Sequence, residues 1–350
     1  MIPPSSRRFV IDMYSSRYPL WCMPDEHAER IRAVLTEEWE LIRVIEEADG
    51  SGDGISTMSP ALLEALTGAE VYCGFGVPRQ VFALSDRLRW VHSAAAGVGG
   101  SLHPEMRESQ VTFTNSAGVH GVPVAEHALA MMFYFARALD QVEASRRAGR
   151  LWDRDRIATA PTPVSELTGS VVGVIGYGGI GREVGRRARG LGMRVWAVSR
   201  SARAAAAEAG VERFHGPEGL DEVLAGSDYV VIAVPHTPRT DRLIGARELS
   251  LMKRRAVLIN VARGAIVDED ALIEALREGR IRGAGLDVFE REPLPASSPL
   301  WQLDNVCIAP HTAGVSPRFW ERETELIVEN TRRYLAGEPL LNVVDKDRGY

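Results

Sequence analysis

The stretch Gly176-Tyr177-Gly178-Gly179-Ile180-Gly181 limits what this chain can fold into more than any other. It lies between an apolar run, Val171-Val172-Gly173-Val174-Ile175, and a segment of helical character, Arg182 to Leu191. A strand, a tight glycine turn and a helix N-terminus together make a site for a dinucleotide pyrophosphate. The first glycine permits the turn, the second lets the backbone approach the phosphates, and the third lets helix and strand pack closely. Glycine supplies 33 of the 350 residues, so the spacing alone is weak and the flanks carry the weight. The next strand, Arg194 to Val198, ends about 20 residues on, where NAD-binding domains usually place an acidic residue. Here that place holds Ser199-Arg200-Ser201.

The chain is long for one core and suits two domains. It is 45% hydrophobic and 25% charged, as in ordinary globular proteins, and its net charge is −6. An acidic balance gives no general attraction for nucleic acid or an anionic membrane, so neither is expected as a partner. Cys22, Cys73 and Cys307 are scattered and odd in number, which suggests no disulfide framework and points to a reducing cytoplasm. The first eight residues lack the apolar core of a signal peptide, and no apolar run approaches membrane-spanning length. The eight histidines form no ligand pair, so no metal is expected.

The N-terminal part reads as alternating strands and helices. Strands are expected at Phe9–Met13, Glu40–Ile45, Glu70–Cys73, Leu88–His92 and Val111–Thr114, with helices at Pro24–Leu35 and from Pro60 through Leu66, the latter capped by Ser59. One long helical run is expected from Pro123 to Arg147, followed by a polar connection over 150–165. A second series has six expected strands: Val171–Ile175, Arg194–Val198, Tyr229–Val234, Ala256–Val261, Gly283–Val288 and Val306–Ala309. A last helix is expected over Arg318–Leu335. Two successive βα series predict two doubly wound parallel sheets, the second a nucleotide-binding one.

Ligands of open α/β sheets bind outside the carboxyl ends of the strands. Arg263, Asp287 with Glu292, and His311 follow three such ends in the second series. An arginine, a carboxylate and a histidine beside a nicotinamide suit hydride exchange with a carbonyl carbon. Histidine can supply the proton that the carbonyl oxygen needs, and a carboxylate on its other ring nitrogen favours the charged form. Arginine can hold the carboxylate of a 2-oxo acid and polarise its carbonyl. Taken singly, each has a plainer reading: Arg263 a solvated turn residue, Glu292 a surface acid, His311 a helix cap, Asp287 a structural acceptor.

The ordered set resembles the D-2-hydroxyacid dehydrogenases. The matching segments are Asn115–Glu126, Gly176–Gly181, Val234–Thr240, Val261–Gly264, Leu286–Pro293 and Pro310–Gly314, and the likeness covers roughly residues 70–345. Formate dehydrogenases of the superfamily place glutamine where Glu292 stands, which argues against that branch. The resemblance implies a Rossmann coenzyme domain (residues 120–315) inserted into a flavodoxin-like substrate domain (1–119 and 316–350), with catalysis in a cleft that closes. It implies Arg263 as substrate anchor, His311 as acid/base, Glu292 as its partner and Asp287 near the nicotinamide amide. Ala96-Gly97-Val98 resembles the family's substrate-carboxylate loop, although Gly99 stands where a polar residue is usual. Phe75 and Gly76 fall on a second substrate loop, with Phe75 lining the space for the substrate's side chain. Cofactor contacts are implied along Gly176, Tyr177, Gly178, Gly179, Ile180, Gly181, Ser199, Arg200, Ser201, Val234, Pro235, Thr240, Val261, Ala262, Arg263, Asp287 and His311. For the helical region 123–147 the resemblance implies a homodimer.

An aspartate at position 199 would repel a 2′-phosphate; unit charges about 4 Å apart interact by roughly 4 kcal/mol at an effective dielectric near 20. Ser199 removes that repulsion, and Arg200, with Arg203 nearby, supplies a phosphate partner. NADP(H) is therefore the expected cofactor, with NAD(H) a possible one; as a plain surface arginine, Arg200 would say nothing of the cofactor. Similar Ser-Arg-Ser stretches in glyoxylate and hydroxypyruvate reductases of the family make a small 2-oxo acid the expected substrate. Two other functions compete: a dinucleotide-sensing binding protein or corepressor on this fold, and a short phosphoglycerate dehydrogenase. Ser199-Arg200 and the chain's end at Tyr350 speak against the latter.

Overall fold

The computed structural model describes residues 7–15, 17–46, 58–150, 152, 154–159, 164–200 and 210–349. The chain divides into two compact units, Met1–His120 with Val315–Tyr350, and Gly121–Gly314.

The first unit holds a five-stranded parallel sheet. Its strands are β1 (Arg7–Asp12), β2 (Trp39–Arg43), β3 (Ala69–Gly74), β4 (Trp90–Ser93) and β5 (Thr112–Asn115). The order β2-β1-β3-β4-β5 is the flavodoxin-like one. The sheet is buried on both faces. Phe9, Ile11, Val71 and Trp90 pack on one side with Ile327 of the last helix, Phe319–Ala336, while Val10, Tyr72, Val91 and Phe113 pack on the other. Helix Pro60–Leu66 begins as its sequence predicts, with proline in the first turn and the Ser59 hydroxyl accepting the Leu62 amide at 3.1 Å.

The second unit holds seven parallel strands: β6 (Val171–Ile175), β7 (Arg194–Val198), β8 (Arg213–His215), β9 (Tyr229–Ile232), β10 (Val257–Asn260), β11 (Gly283–Leu286) and β12 (Val306–Ile308). Their order is β12-β11-β10-β9-β6-β7-β8, a Rossmann sheet with an added edge strand. β8 is the strand that the sequence does not announce. It has three residues, lies at the sheet edge and is only partly buried, so no apolar run marks it.

The expected single helix over 123–147 is two helices, Gly121–Ala136 and Leu139–Arg147, broken at Ala138, which takes φ +54°. The break has a tertiary cause. It lets the Ala136 carbonyl accept the Ser165 amide (2.8 Å), and it turns Asp140 inward, where both carboxylate oxygens meet the buried Arg282 guanidinium at 2.7–2.8 Å. The polar connection after it contains a short helix, Arg154–Thr159.

Candidate functional site

The glycine turn has the shape that its sequence requires. Gly176 stands directly after β6 with φ +98°, and a Cβ there would lie 2.6 Å from the Ala233 carbonyl oxygen. A Cβ on Gly181 would lie 2.1 Å from the Gly176 carbonyl oxygen and 3.1 Å from Val174. Both positions therefore need glycine for strand–helix packing. A Cβ on Gly178, the N-cap of helix Gly179–Gly190, would meet nothing within 4 Å. Two glycines crowded by protein and one facing open space, beside the free amides of a helix N-terminus, fit a pyrophosphate. Ile180 packs against the core, and Tyr177 buries its ring against Gly185 and edge-on to Phe214, so Tyr177 offers the turn its main chain.

Ser199 follows the end of β7, its amide donating to the His215 carbonyl (2.9 Å), and Arg200 is exposed. Ser201 and Arg203 lie outside the described residues. Val234 packs on the core. Pro235 and Thr240 form one turn: the Thr240 hydroxyl donates to the Pro235 carbonyl (2.7 Å) and accepts the Thr237 amide (2.8 Å).

Arg263, Glu292 and His311 emerge from neighbouring strands. In register, Asn260 of β10 pairs with Leu286 of β11, and Leu286 with Ile308 of β12. The residues that follow these three start from one level of the sheet. Val261 and Ala262 are buried, and Asn260, also buried, holds the turn to Arg263. Its side-chain oxygen accepts the Ala262 amide (3.1 Å) and its side-chain nitrogen donates to the Arg263 carbonyl (3.0 Å). In the sequence Asn260 is marked only as a lone polar residue closing an apolar strand. Gly264 fits because a Cβ there would stand 1.8 Å from the Phe289 carbonyl carbon. That contact draws the Arg263 turn against the loop that carries Glu292.

His311 Nδ1 and Glu292 Oε2 are 2.7 Å apart. A carboxylate only accepts, so Nδ1 carries the proton in this pair. The other Glu292 oxygen accepts the Phe289 amide at 2.9 Å. The Glu292 hydrogen bond raises the His311 pKa above its ordinary value; partial burial and the positive charge of Arg263 act against it, and the charges of Glu292 and Asp287 with it. For Glu292, burial pushes the carboxyl up, but the bonds from His311 and Phe289 and the charges of His311 and Arg263 outweigh it, and its pKa is lowered.

His311 sits at φ +53°, a conformation that costs an L-residue roughly 1–2 kcal/mol and persists only where neighbours hold it. Asp287 does so. Its carbonyl accepts the His311 amide (2.9 Å), and its carboxylate accepts the amides of Thr312 (2.8 Å) and Ala313 (3.0 Å). The structural-acceptor reading of Asp287 thus describes both of its oxygens. His127 Nε2 lies 3.7 Å from that carboxylate, beyond hydrogen-bonding distance.

In the first unit, Phe75 is buried among Trp21, Phe319 and Trp320, and Gly76 beside it is also buried. The Ala96 carbonyl accepts the Asn115 side chain (2.7 Å). Val98 buries its side chain, while Ala96 is exposed and Gly97 half-buried. Among the described residues, no acceptor is paired with the amides of Ala96, Gly97 or Val98.

A Rossmann sheet with a glycine turn fit for a pyrophosphate and a hydrogen-bonded His–Glu pair at its carboxyl edge defines a dinucleotide-dependent oxidoreductase. Residues 129–313 match the NAD-binding domain of the D-isomer specific 2-hydroxyacid dehydrogenases. A glyoxylate reductase from Thermococcus gammatolerans is 39% identical over 270 residues, covering 77% of this chain and 79% of that protein. A D-3-phosphoglycerate dehydrogenase from Methanocaldococcus jannaschii is 34% identical over 87% of this chain and 57% of that protein. The crystal structure of a D-isomer specific 2-hydroxyacid dehydrogenase from Xanthobacter autotrophicus Py2, in complex with NADPH and MES, superposes with a TM-score of 0.78 at 33% identity, covering 99% of this chain and 100% of that one. The chain belongs to the D-isomer specific 2-hydroxyacid dehydrogenase family, whose members are NAD(P)-dependent oxidoreductases.

Proposed function

We propose that this protein reduces a small 2-oxo acid, such as glyoxylate or hydroxypyruvate, to its D-2-hydroxy acid with NADPH. The His311–Glu292 pair carries this reading. A bound dihydronicotinamide supplies a hydride to the substrate's carbonyl carbon. His311, with Nδ1 directed to Glu292, holds a proton on Nε2 and delivers it to the carbonyl oxygen. Glu292 favours the charged form of that ring and orients it. Arg263 pairs with the substrate carboxylate and polarises the carbonyl. In the first unit, the amides of Ala96, Gly97 and Val98, with no acceptor among the described residues, are donors open to a carboxylate. Val261, Ala262 and Asp287 hold the strand ends that face the nicotinamide, and Gly121–Gly314 is the coenzyme unit.

The preference for NADPH over NADH rests on Ser199, which brings no charge against a 2′-phosphate, and on the exposed Arg200. The relatives support the two halves of the reading separately: one is a glyoxylate reductase, another was crystallised with NADPH. The relative named for phosphoglycerate gives a second, weaker reading, since this chain spans 57% of it. Steady-state rates with NADPH and NADH, across glyoxylate, hydroxypyruvate, 3-phosphohydroxypyruvate and bulkier 2-oxo acids, test all of this. Equal kcat/KM for the two cofactors, or a higher one for NADH, rejects the cofactor preference. A clear advantage for the phosphorylated substrate rejects the substrate class.

Two further assignments accompany the reading. Phe133, Leu139 and Val142 leave large apolar side chains exposed on the helices Gly121–Ala136 and Leu139–Arg147, which supports a homodimer joined there; sedimentation at micromolar concentration tests it. Three free cysteines support a cytoplasmic location. Among the described residues no helix is long and apolar enough to cross a membrane.

A further inference from the structure

The carboxyl edge of the five-stranded sheet carries an aromatic group around Phe75. The strand order reverses between β1 and β3, and ligands of open parallel sheets bind at such a point. The segment after β1 turns through Pro19–Trp21, and Phe75-Gly76 follows β3. The Trp21 and Phe75 rings meet edge-on with centroids 6.3 Å apart. Trp21 also packs edge-on against Phe319 at 5.1 Å and lies 6.5 Å from His120, which stacks on Phe319 at 5.2 Å.

Phe75 and Phe319 are buried, whereas Trp21 and His120 keep part of their surface exposed. The Trp320 indole N–H donates to the Leu20 carbonyl (2.9 Å) and so pins the turn that presents Trp21. On the other side of Phe75, the Ser93 hydroxyl donates to the Phe75 carbonyl (3.0 Å) and accepts the Ala95 amide (3.3 Å). The loops after β1, β3 and β4 therefore lie side by side in sheet order.

We propose that Trp21 is a specificity-determining residue: its fixed indole bounds the space for the substituent on the carbonyl carbon and restricts the enzyme to small 2-oxo acids. This rests on the reading that a 2-oxo acid is reduced with its carboxylate near Ala96–Val98. In sheet order the β3 loop lies between the β4 loop and the turn that presents Trp21, so on this proposal a substituent running from the β4 loop across the β3 loop is directed toward the indole. A branched or aromatic substituent must displace an indole held by three ring contacts and a pinned turn. Discrimination against bulk thus comes from a steric barrier rather than from a missing attraction.

The test compares the full-length protein with Trp21→Phe, Trp21→Ala and Trp39→Phe. Trp39 is a core aromatic at the opposite, amino end of the sheet, packed on Phe9 and Tyr334. The readout is the ratio of kcat/KM for 2-oxoisocaproate to that for glyoxylate, which does not depend on the folded fraction. It should rise by about tenfold or more in Trp21→Ala, less in Trp21→Phe, and stay unchanged in Trp39→Phe. Calorimetric affinities of the NADPH-loaded protein for oxamate and N-isobutyloxamate should shift in the same sense. An unchanged ratio in both Trp21 variants, or an equal rise in Trp39→Phe, overturns the proposal. A wild-type protein that turns over no 2-oxo acid with either nicotinamide cofactor overturns the functional reading beneath it, and is recognised before any variant is made.

Discussion

Glu292 grips His311 with one carboxylate oxygen, 2.7 Å from Nδ1, and anchors itself with the other on the Phe289 amide. The pair is therefore oriented from both ends, and its charge state follows from that geometry.

The raised pKa of His311 gives a signed pH dependence. The raised value keeps the imidazolium needed for reduction to higher pH than an ordinary histidine would, so the reductive rate should fall as pH rises past the His311 pKa. The oxidative rate should rise over that same span. Glu292→Gln removes the largest cause of the shift, so the alkaline limb of reduction should move to lower pH, with a greater loss at pH 8 than at pH 6. Initial rates from pH 5 to 10 measure this; a parallel drop at every pH would contradict it. The same linkage bears on stability: what the pair adds through His311 is complete at low pH and is lost as pH rises through the raised value.

His311→Ala should lower kcat by roughly 10²- to 10⁴-fold while the NADPH dissociation constant stays within about threefold. Fluorescence titration separates the two. Lost NADPH binding with turnover intact would reverse the assignment.

Asp287→Asn replaces two accepting oxygens by one, and the amides of Thr312 and Ala313 cannot both be satisfied. A buried donor left unpaired costs about 1–3 kcal/mol, so the midpoint in urea should fall and kcat should drop with it. Wild-type kcat in Asp287→Asn would mean that the brace on the His311 loop is dispensable.

The glycine turn divides into positions required for folding and one required for the ligand. Gly181→Ala drives a Cβ into the Gly176 carbonyl and should lower the melting temperature. Gly178→Ala meets no protein atom and should leave the melting temperature within a degree or two, yet weaken NADPH binding by about tenfold or more. Equal thermal losses for the two variants would contradict this division.

Burial pushes the Asp12 carboxyl, which accepts the Tyr72 hydroxyl at 3.0 Å, up to about 6. Folding therefore takes up a proton there, and Asp12 lowers stability as pH rises from about 4 to 6, by on the order of 1–3 kcal/mol. Asp12→Asn keeps the acceptor without the charge. It should stabilise the protein by that amount at pH 7 and by little at pH 4 in urea denaturation; equal gains at both pH values would exclude the titration.

Much of this architecture is legible along the chain. Apolar runs bounded by turn residues marked every strand of the first sheet and six of the second, because burial on both faces demands such runs. Gly176 and Gly181 were readable because a positive φ and a close backbone approach each exclude a side chain at one position. Arg263, Glu292 and His311 were readable as polar residues just past apolar strands. Less legible were β8, too short and polar at a sheet edge, and the break at Ala138, which depends on Arg282 meeting Asp140 from 142 residues away. Asn260 and Asp287 act through the backbones of residues that the sequence does not mark as partners.

By itself the sequence determined two βα series, a dinucleotide turn and the set of chemical groups available, since strand burial, turn chemistry and side-chain type are local properties. Only the tertiary structure decided that β10, β11 and β12 lie side by side in register, that Gly264 seats one loop against the next, and that His311 is held in a left-handed conformation facing Glu292. Those features depend on contacts between segments far apart in the chain, and hydrogen-bond directions and close packing are set only when the segments meet.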